Sequence, residues 1–567
     1  ITAKVIWNYY TMNRYRFAQR TQIAEFLPSD ISTWSLQNLL NKVIELHYSA
    51  LSEIDKLKQI ERKEFSVLLS EGSDSKIRTS LYEIIAGNAL DFFSQNEAGL
   101  PEPLYTFSIE SPDFFKMPEE FIKTELNSKD SSSMRYNTMK LFQLLEKHYI
   151  SSNNKEGLYD TILKRVLYCQ NEAVMDNKSE LFEASLYQII KNGAGSEAES
   201  QAGYEIAKIY YNKAMDKSSS DEKTKIEFIK KAKETAEKYR SSGSIGGANC
   251  SALLEQMAQK SLSLSAENIV IPDESFKINL NYKNIDKLYF KIVEISNDKE
   301  AFSGDYNLFM KKLEEIKNRK GSAEWESSFA DSLNMLEHQK IISAPKLPKG
   351  EYIILTGTNR GFSKIFGNGF AYFFFSVSDL SYIERSVENG KHELYVFDRK
   401  SGKPVKECSV TEYGIKYDYS KNQTQKLVIQ TSDSQKTDEN GHVVIHRNFN
   451  DTSISDFYLK LTKNNSVLYS DYVYSYYNNY YSRNEQQRTL ILTDRALYRP
   501  GQTLFFKAII YNSNGINAAV VPNYKTTVTF YDVNGSVISQ KEITTNEFGS
   551  ASSSFSIPEG VLNGTMR

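Results

Sequence analysis

The residues of this chain that could do chemistry are few and poorly spaced for it. His442 and His446 stand four apart in the alternating run HVVIH. A strand there puts both imidazoles on one face, and a two-ligand metal site is conceivable. No carboxylate or cysteine accompanies them at ligand spacing, so solvent-facing strand residues are the plainer reading. Cys169, Cys250 and Cys408 are odd in number and far apart; they form no C-x-x-C pair and no disulfide framework, and read as small buried apolar residues. G-x-S-x-G, H-E-x-x-H and P-loop patterns are all missing, which leaves an enzyme without a nucleophile, base or phosphate cradle. No catalytic, cofactor-binding or metal residue is therefore assigned; the chain reads as a non-enzyme without a cofactor.

Two stretches are more specified than ordinary connections. In TDRALYRPGQTLFFKAII, Pro500 fixes φ and lacks an amide donor, while Gly501 supplies a permissive backbone, so the pair turns the chain into a strand beginning at Thr503. Asp494, Arg495 and Arg499 can form charge-assisted hydrogen bonds with one another or with turn carbonyls, and Tyr498 can cover a sheet edge. Thr493 to Gly501 thus read as structural, fixing the angle at which one sandwich follows another. The second stretch, DYVYSYYNNYYSRNEQQ from Asp471 to Gln487, carries Tyr472, Tyr474, Tyr476, Tyr477, Tyr480 and Tyr481. These could stack on sugars or form a protein-contact patch. Alternate tyrosines also suit a strand and interdomain connector, which is the plainer reading.

The elements that carry these stretches follow from length and periodicity. A chain of 567 residues is too long for one core, and at roughly 100 to 200 residues per domain it divides into several. Lys+Arg 69 against Asp+Glu 71 gives a net charge of -2, which favours neither nucleic acid nor an anionic membrane as partner. The longest apolar run, FAYFFFSV from Phe370, falls far short of the roughly 20 residues a transmembrane helix needs. The opening ITAKVIWNYY is neither a signal peptide nor a start methionine, and VLNGTMR stops where a strand is beginning, so the sequence reads as an internal fragment whose export signal lies outside it.

Up to about residue 262 the apolar spacing is helical. Leu36, Leu39, Leu40, Val43, Ile44, His47, Leu51, Ile54 and Leu57 share one face, with Ser32 and Thr33 ahead as N-caps. Leu81–Phe93, Met139–Ile150, Leu158–Cys169 and Leu181–Ile190 repeat the pattern. Farther on, Tyr204, Ala207, Tyr211 and Ala214 make one small-and-aromatic face, and Phe228, Ala232, Ala236 and Tyr239 another. Such a pair suits a tetratricopeptide-type solenoid, but no fixed repeat accompanies it, and plain helix packing is preferred.

After Leu264 the period changes to two. FKINLNY and KLYFKIVEI, separated by Lys283-Asn284-Ile285-Asp286, carry a hairpin signal, and a succession of strand-like runs follows without alternating helices. Residues about 305–340 read as a helical insertion. The expected fold is thus multidomain α + β: a helical domain over 1–264, then antiparallel β-sandwiches over 265–378, 379–487 and 488–567, the third cut short. A weak internal repeat supports the module count. VFDRKSGKPVKECSV leads to TDENGHVVI, and FYDVNGSVISQ leads to TNEFGSASSSF, with Gly402, Gly441, Gly535 and Gly549 where turns need positive φ.

With NEFGSASSSFSIPEG downstream and FDRKSGKPVKECSV upstream, the TDRALYRPGQ stretch resembles the alpha-2-macroglobulin family, whose sandwiches carry a TDR-x-x-Y-x-P-G-x signature. Thr493, Asp494, Arg495, Tyr498, Pro500 and Gly501 match it, and the resemblance spans about residues 380–567; the helical half is similar to bacterial, Bacteroides-type members. The resemblance implies a noncatalytic part of a protease-trapping endopeptidase inhibitor, with proteases as partners of the full-length protein, secreted to the periplasm or attached to the outer membrane. It also implies an internal thioester in many members. Here Cys169 is followed by QNEA, Cys250 by SALL and Cys408 by SVTE, so no thioester motif is present, nor is a long bait-like linker. The rival expectation is a cell-envelope module that binds another protein or a glycan; oligomeric state is left open.

Overall fold

The computed structural model describes residues 1–17, 30–65, 67, 77–95, 106–130, 132–216, 218, 221–295, 306–330, 333–362, 368–386, 391–418, 425–446, 454–471, 473–474, 485–513, 518–559 and 564–567. By its contacts the chain divides into two compact units: residues 1–210 with 231–252 and 485–567, and residues 211–230 with 253–484.

The helical region comprises α1 (Thr2–Met12), α2 (Arg14–Phe17), α3 (Leu36–Ala50), α4 (Ile54–Gln59), α5 (Leu81–Phe93), α6 (Pro118–Phe121), α7 (Met134–Ser151), α8 (Lys155–Glu172), α9 (Lys178–Asn192), α10 (Glu197–Met215), α11 (Glu222–Tyr239) and α12 (Ile245–Ala258). Helix α5 has the span expected from its periodicity, because Ser80 and Glu83 form a capping box that stops it at a defined residue. The expected caps of α3 are corrected. Ser32 and Thr33 belong to a separate 3-10 turn capped by Asp30, and Ser35 caps α3 by accepting from Asn38 N at 3.2 Å. The extended Trp34 between them breaks the helical path. Ala207, Tyr211 and Ala214 on α10, and Ala232, Ala236 and Tyr239 on α11, are buried, as small and large side chains packed between helices should be.

At the centre of this region lies a charge pair that no motif announced. Arg165 of α8 and Glu146 of α7 are fully buried and joined at 2.7 Å. The guanidinium also donates to Phe114 O and, at 2.8 Å, to Lys116 O, and lies 3.9 Å from the Phe121 ring centroid. Every face of the cation is thereby engaged, the condition for holding a charge away from water.

The first sandwich pairs β1 (Ser261–Ala266), β3 (Phe276–Lys283) and β6 (Glu337–Ala344), in order β1-β3-β6, with a sheet of β2 (Ile269–Val270), β4 (Lys287–Glu294), β5 (Ala323–Ser328), β7 (Gly350–Gly357) and β8 (Phe370–Val377), in order β2-β8-β7-β4-β5. Two expectations are corrected here. β3 and β4 are not a hairpin: β3 pairs β1 and β6, whereas β4 pairs β5 and β7. The link crosses between sheets because Asn284, at φ 54, is anchored elsewhere; its amide donates to Met257 O at 2.8 Å and Gln259 O at 3.1 Å. The helical insertion is likewise shorter than 305–340. Among the described residues of that range only α13 (Tyr306–Lys317) is helical, and β5 and the start of β6 follow it. In AEWESS the period is two, and Trp325 stacks on Phe290 with ring centroids 4.9 Å apart, which holds a charged strand at the sheet edge. Leu313 and Ile316 of α13 cover Val293, Ile295, Ile353 and Leu355, so this sheet is buried on both faces, as its continuous apolar runs require.

The second sandwich sets β9 (Leu380–Ser386), β10 (Lys391–Asp398) and β14 (His442–His446), in order β14-β10-β9, against β11 (Ser409–Asp418), β12 (Gln425–Gln430), β13 (Gln435–Lys436), β15 (Ile454–Lys463), β16 (Ser466–Tyr469) and β17 (Val473–Tyr474). Its core includes Leu394, Val396, Val410, Ile445, Leu459 and Leu461. In the third, β18 (Gln486–Thr493), β19 (Thr503–Ser513), β20 (Ala518–Val520) and β23 (Ser550–Ser556) face β21 (Lys525–Tyr531) and β22 (Val537–Thr544) around Phe506, Phe530, Phe555 and Ile557. The architecture is an N-terminal helical region followed by antiparallel β-sandwiches.

Candidate functional site

The signature stretch folds as a cap centred on Tyr498. Its ring packs against the core of the third sandwich, and its hydroxyl donates to Asp494 Oδ1 at 2.5 Å while accepting from Arg495 N at 2.9 Å. The same Oδ1 accepts from Phe505 N at 2.9 Å, and Asp494 N donates to Phe505 O at 3.0 Å. One carboxylate therefore ties the start of the turn to β19. Thr493 Oγ1 closes the near side by donating to Arg495 O at 2.8 Å. Gly501, at φ +80, donates to Ile557 O at 2.9 Å, and Ile557 N returns a bond to Gln502 O at 2.8 Å. Gln502 also accepts from Arg499 N through Oε1 at 2.9 Å. Its role was not legible, because it stands where the signature allows any residue.

The charges play a smaller part than their density suggested. Arg495 Nε lies 3.6 Å from Asp494 Oδ2, and both side chains are solvent-accessible, a geometry worth little in water. Among the described residues Arg499 enters the turn through its backbone, donating to Gln502 Oε1 and accepting from Gln502 N. The hydrogen bond from Tyr498, rather than an arginine, is the main cause that holds the Asp494 carboxyl below its ordinary range.

The glycines of the internal repeat mark a second construction, present twice. In the second sandwich Thr437 Oγ1 donates to Val405 O at 2.6 Å and accepts from Cys408 N at 2.9 Å; in the third, Thr545 Oγ1 donates to Val521 O at 2.7 Å and accepts from Tyr524 N at 2.8 Å. Asp438 Oδ1 accepts from Asn440 N and His442 N, both at 2.8 Å, as Asn546 Oδ1 does from Phe548 N at 3.0 Å and Ser550 N at 3.1 Å. Gly441 O receives Val396 N, and Gly549 O receives Ile510 N, each at 2.8 Å. A Cβ on Gly441 would come within 2.3 Å of Val396 O, and one on Gly549 within 2.8 Å of Ile510 O. Gly402, Gly441, Gly535 and Gly549 all have positive φ, between 65 and 80°, as the turns require. Each Thr-Asx-Glu-x-Gly unit pins two strands and the loop between them with one hydroxyl, one Asx side chain and one cramped glycine.

Among the cysteines, burial pushes the Cys169 thiol up to about 12 and the Cys250 and Cys408 thiols up to about 11, the reverse of what a thiolate nucleophile needs. His442 sits on β14 with its ring 4.7 Å from that of Tyr395; the His446 side chain lies outside the described residues. Among the described residues no group of three or more His, Cys, Asp or Glu could hold a metal, and no helix is long and apolar enough to cross a membrane. Tyr472, Tyr476, Tyr477, Tyr480 and Tyr481 lie outside the described residues, as does the side chain of Tyr474.

Residues 488–567 match the family model of the MG2 domain, a macroglobulin-family module of immunoglobulin-like fold, and support an alpha-2-macroglobulin-like relationship. The match begins just before the Asp494 cap and takes in the Thr545–Gly549 unit. No curated protein matches the chain. Among solved structures, the CARDB domain of a Pyrococcus furiosus protein, in complex with di-metal ions, aligns at 10% identity and a TM-score of 0.13, over 21% of this chain and 92% of that one.

Proposed function

We propose that this chain is noncatalytic scaffold of an alpha-2-macroglobulin-like endopeptidase inhibitor that traps proteases, in a bacterial, Bacteroides-type protein exported to the periplasm or outer membrane. The observation that carries the reading is the Tyr498-centred cap within the MG2 match. Thr493, Asp494 and Tyr498 spend their polar groups on the turn's own backbone and on one another, which is what a structural joint needs. The repeated Thr-Asx-Glu-x-Gly unit supports it, since a trap that collapses after cleavage needs modules that stay folded while their arrangement changes.

The test uses the full-length protein with a panel of proteases. The expected outcome is one early cleavage, a large compaction by small-angle scattering, and loss of activity toward protein substrates with small peptide substrates still cut. Cleavage without compaction, with protein substrates still digested, rejects the trap.

A further inference from the structure

Lys283 ends β3, at the link whose spacing carries a hairpin signal, and it is buried, with 7% of its surface exposed. Ser261 of β1 and Glu337 of β6 stand opposite it in register. The ammonium turns instead to Tyr211 of α10 and to α12: it donates to the Tyr211 hydroxyl at 3.3 Å and to Gln256 O at 3.2 Å, and lies 5.6 Å from the centroid of the Tyr211 ring. Both bonds are long for a charged donor, and both acceptors are neutral. Arg165 differs on this point, since a carboxylate at 2.7 Å answers its charge. A buried cation with neutral partners is costly, and an anion beside it lowers that cost.

Lys283, Tyr211 and Gln256 line one cavity of about 380 Å³. Its size suits a small molecule, for which sites of about 300–1,000 Å³ are usual. Lys260 and Glu337, both exposed, also line it, with Gln259 and Asn368. Two ammonium groups and one carboxylate leave a single net positive charge, which matches a monoanion and disfavours a dianion such as phosphate. An ammonium carries three N–H groups, and a tyrosine hydroxyl that accepts a bond keeps its own proton to donate. Lys283 and Tyr211 therefore offer two adjacent donors to one anion. The side-chain amides of Gln259 and Asn368 can each donate and accept, which suits an amide or hydroxyl carried next to the charge. All of these residues belong to the second compact unit.

We propose that this cavity binds a small molecule bearing one carboxylate, held between the Lys283 ammonium and the Tyr211 hydroxyl, with Lys260 adding attraction and Glu337 excluding a second negative charge. An acylated amino acid and a sugar acid share that chemistry and differ in what they offer Gln259 and Asn368. Such a site requires neither cleavage nor compaction, so it stands apart from protease trapping.

The test is saturation-transfer NMR on the 567-residue chain, with N-acetylalanine and glucuronate as probes at up to about 10 mM. One or both should bind, and the probe that binds identifies the source of the carboxylate. N-acetylalanine amide, which lacks the charge, should not bind, and inorganic phosphate should compete with a constant weaker than the bound probe's own. Lys283→Met should weaken binding at least about tenfold. Lys260→Gln should weaken it about two- to fivefold, and Glu337→Gln should strengthen it by a similar factor. Both of those residues are exposed, so their variants decide the matter even where circular dichroism shows that Lys283→Met does not fold. Failure of both probes to bind overturns the proposal, as does equal binding of the amide or tighter binding of phosphate. Undiminished binding by a folded Lys283→Met chain, or the absence of opposite shifts in the exposed pair, overturns it equally.

Discussion

Two charge pairs divide this molecule between what is conspicuous in sequence and what is enclosed in structure. Asp494–Arg495 sits inside a family signature, crowded by charged and aromatic neighbours, yet both side chains meet solvent and their separation is 3.6 Å. Arg165–Glu146 sits in no motif, nineteen positions apart on neighbouring helices, and both side chains are fully buried at 2.7 Å. The first pair can exchange its partner for water at little cost. The second cannot, because removing either member leaves an ion in a medium that does not solvate it. Density of charge in a sequence thus locates a recognisable turn, while burial decides where charge governs stability.

The largest effect expected follows from that contrast. Arg165→Met strands Glu146 and the Phe114 and Lys116 carbonyls, and should destabilise the helical region by about 3–5 kcal/mol, read from urea unfolding followed at helical wavelengths. The double change Arg165→Met with Glu146→Leu removes the orphaned carboxylate and should recover most of the loss. A single-mutant effect below about 1 kcal/mol, the range of exposed pairs, would abolish the distinction.

Between the two extremes lie the paired glycine units, where the chemistry is steric. Gly441→Ala forces a side chain into the left-handed region and to 2.3 Å from the Val396 carbonyl, so a cost of about 1–3 kcal/mol is expected. Gly549→Ala should fall toward the lower part of that range, its nearest backbone atom being 2.8 Å away. Gly402→Ala has positive φ but open space around it, and should cost less than either. Thermal melts of the three variants test the order; a Gly402 effect equal to that of Gly441 would mean that φ alone matters and the close carbonyl does not. Thr437→Val, which strips a hydroxyl from two backbone partners, should cost about 1–3 kcal/mol.

What the sequence made legible follows the same line. The apolar run FAYFFFSV became β8, the alternating run HVVIH became β14 and the Pro500-Gly501 turn led into β19, and the glycines of TDENG and TNEFG located turns whose φ is positive, because those features are local: a strand declares itself by its side chains and a cramped backbone excludes a Cβ. What it did not disclose depends on partners distant in the chain. FKINLNY and KLYFKIVEI have the spacing of a hairpin, but Asn284 is held by carbonyls of Met257 and Gln259, so the two strands part into different sheets. AEWESS is too charged to read as a strand until Trp325 is seen on Phe290. Arg165 belongs to no motif, and its burial depends on Glu146 of a neighbouring helix. At the cap, residue types pointed to the right turn and the wrong bonds: arginines were expected to hold Asp494, and a tyrosine hydroxyl and the Phe505 amide hold it instead.

The smallest effect expected is at that cap, and its pH dependence can be signed. The Asp494 carboxyl is held below its ordinary range by the bond from Tyr498, with Phe505 N adding to it and Arg495 contributing least. A depressed carboxylate contributes stability that is present above its unfolded pKa, about 3.9, and is lost as pH falls through the lower folded value. The melting temperature of Asp494→Asn should therefore lie slightly below that of the unchanged chain near neutral pH, and the two should converge as pH falls below about 4. Tyr498→Phe should show the same convergence, since it removes the group that depresses the carboxyl, with an added loss that persists at low pH because Arg495 N also loses its acceptor. Arg495→Ala should show neither at moderate salt, the pair being long and exposed. If Arg495→Ala reproduces the pH profile of Asp494→Asn while Tyr498→Phe leaves it unchanged, then the ion pair governs the cap after all, and the contrast between the exposed and the enclosed pair fails at the end where it is weakest.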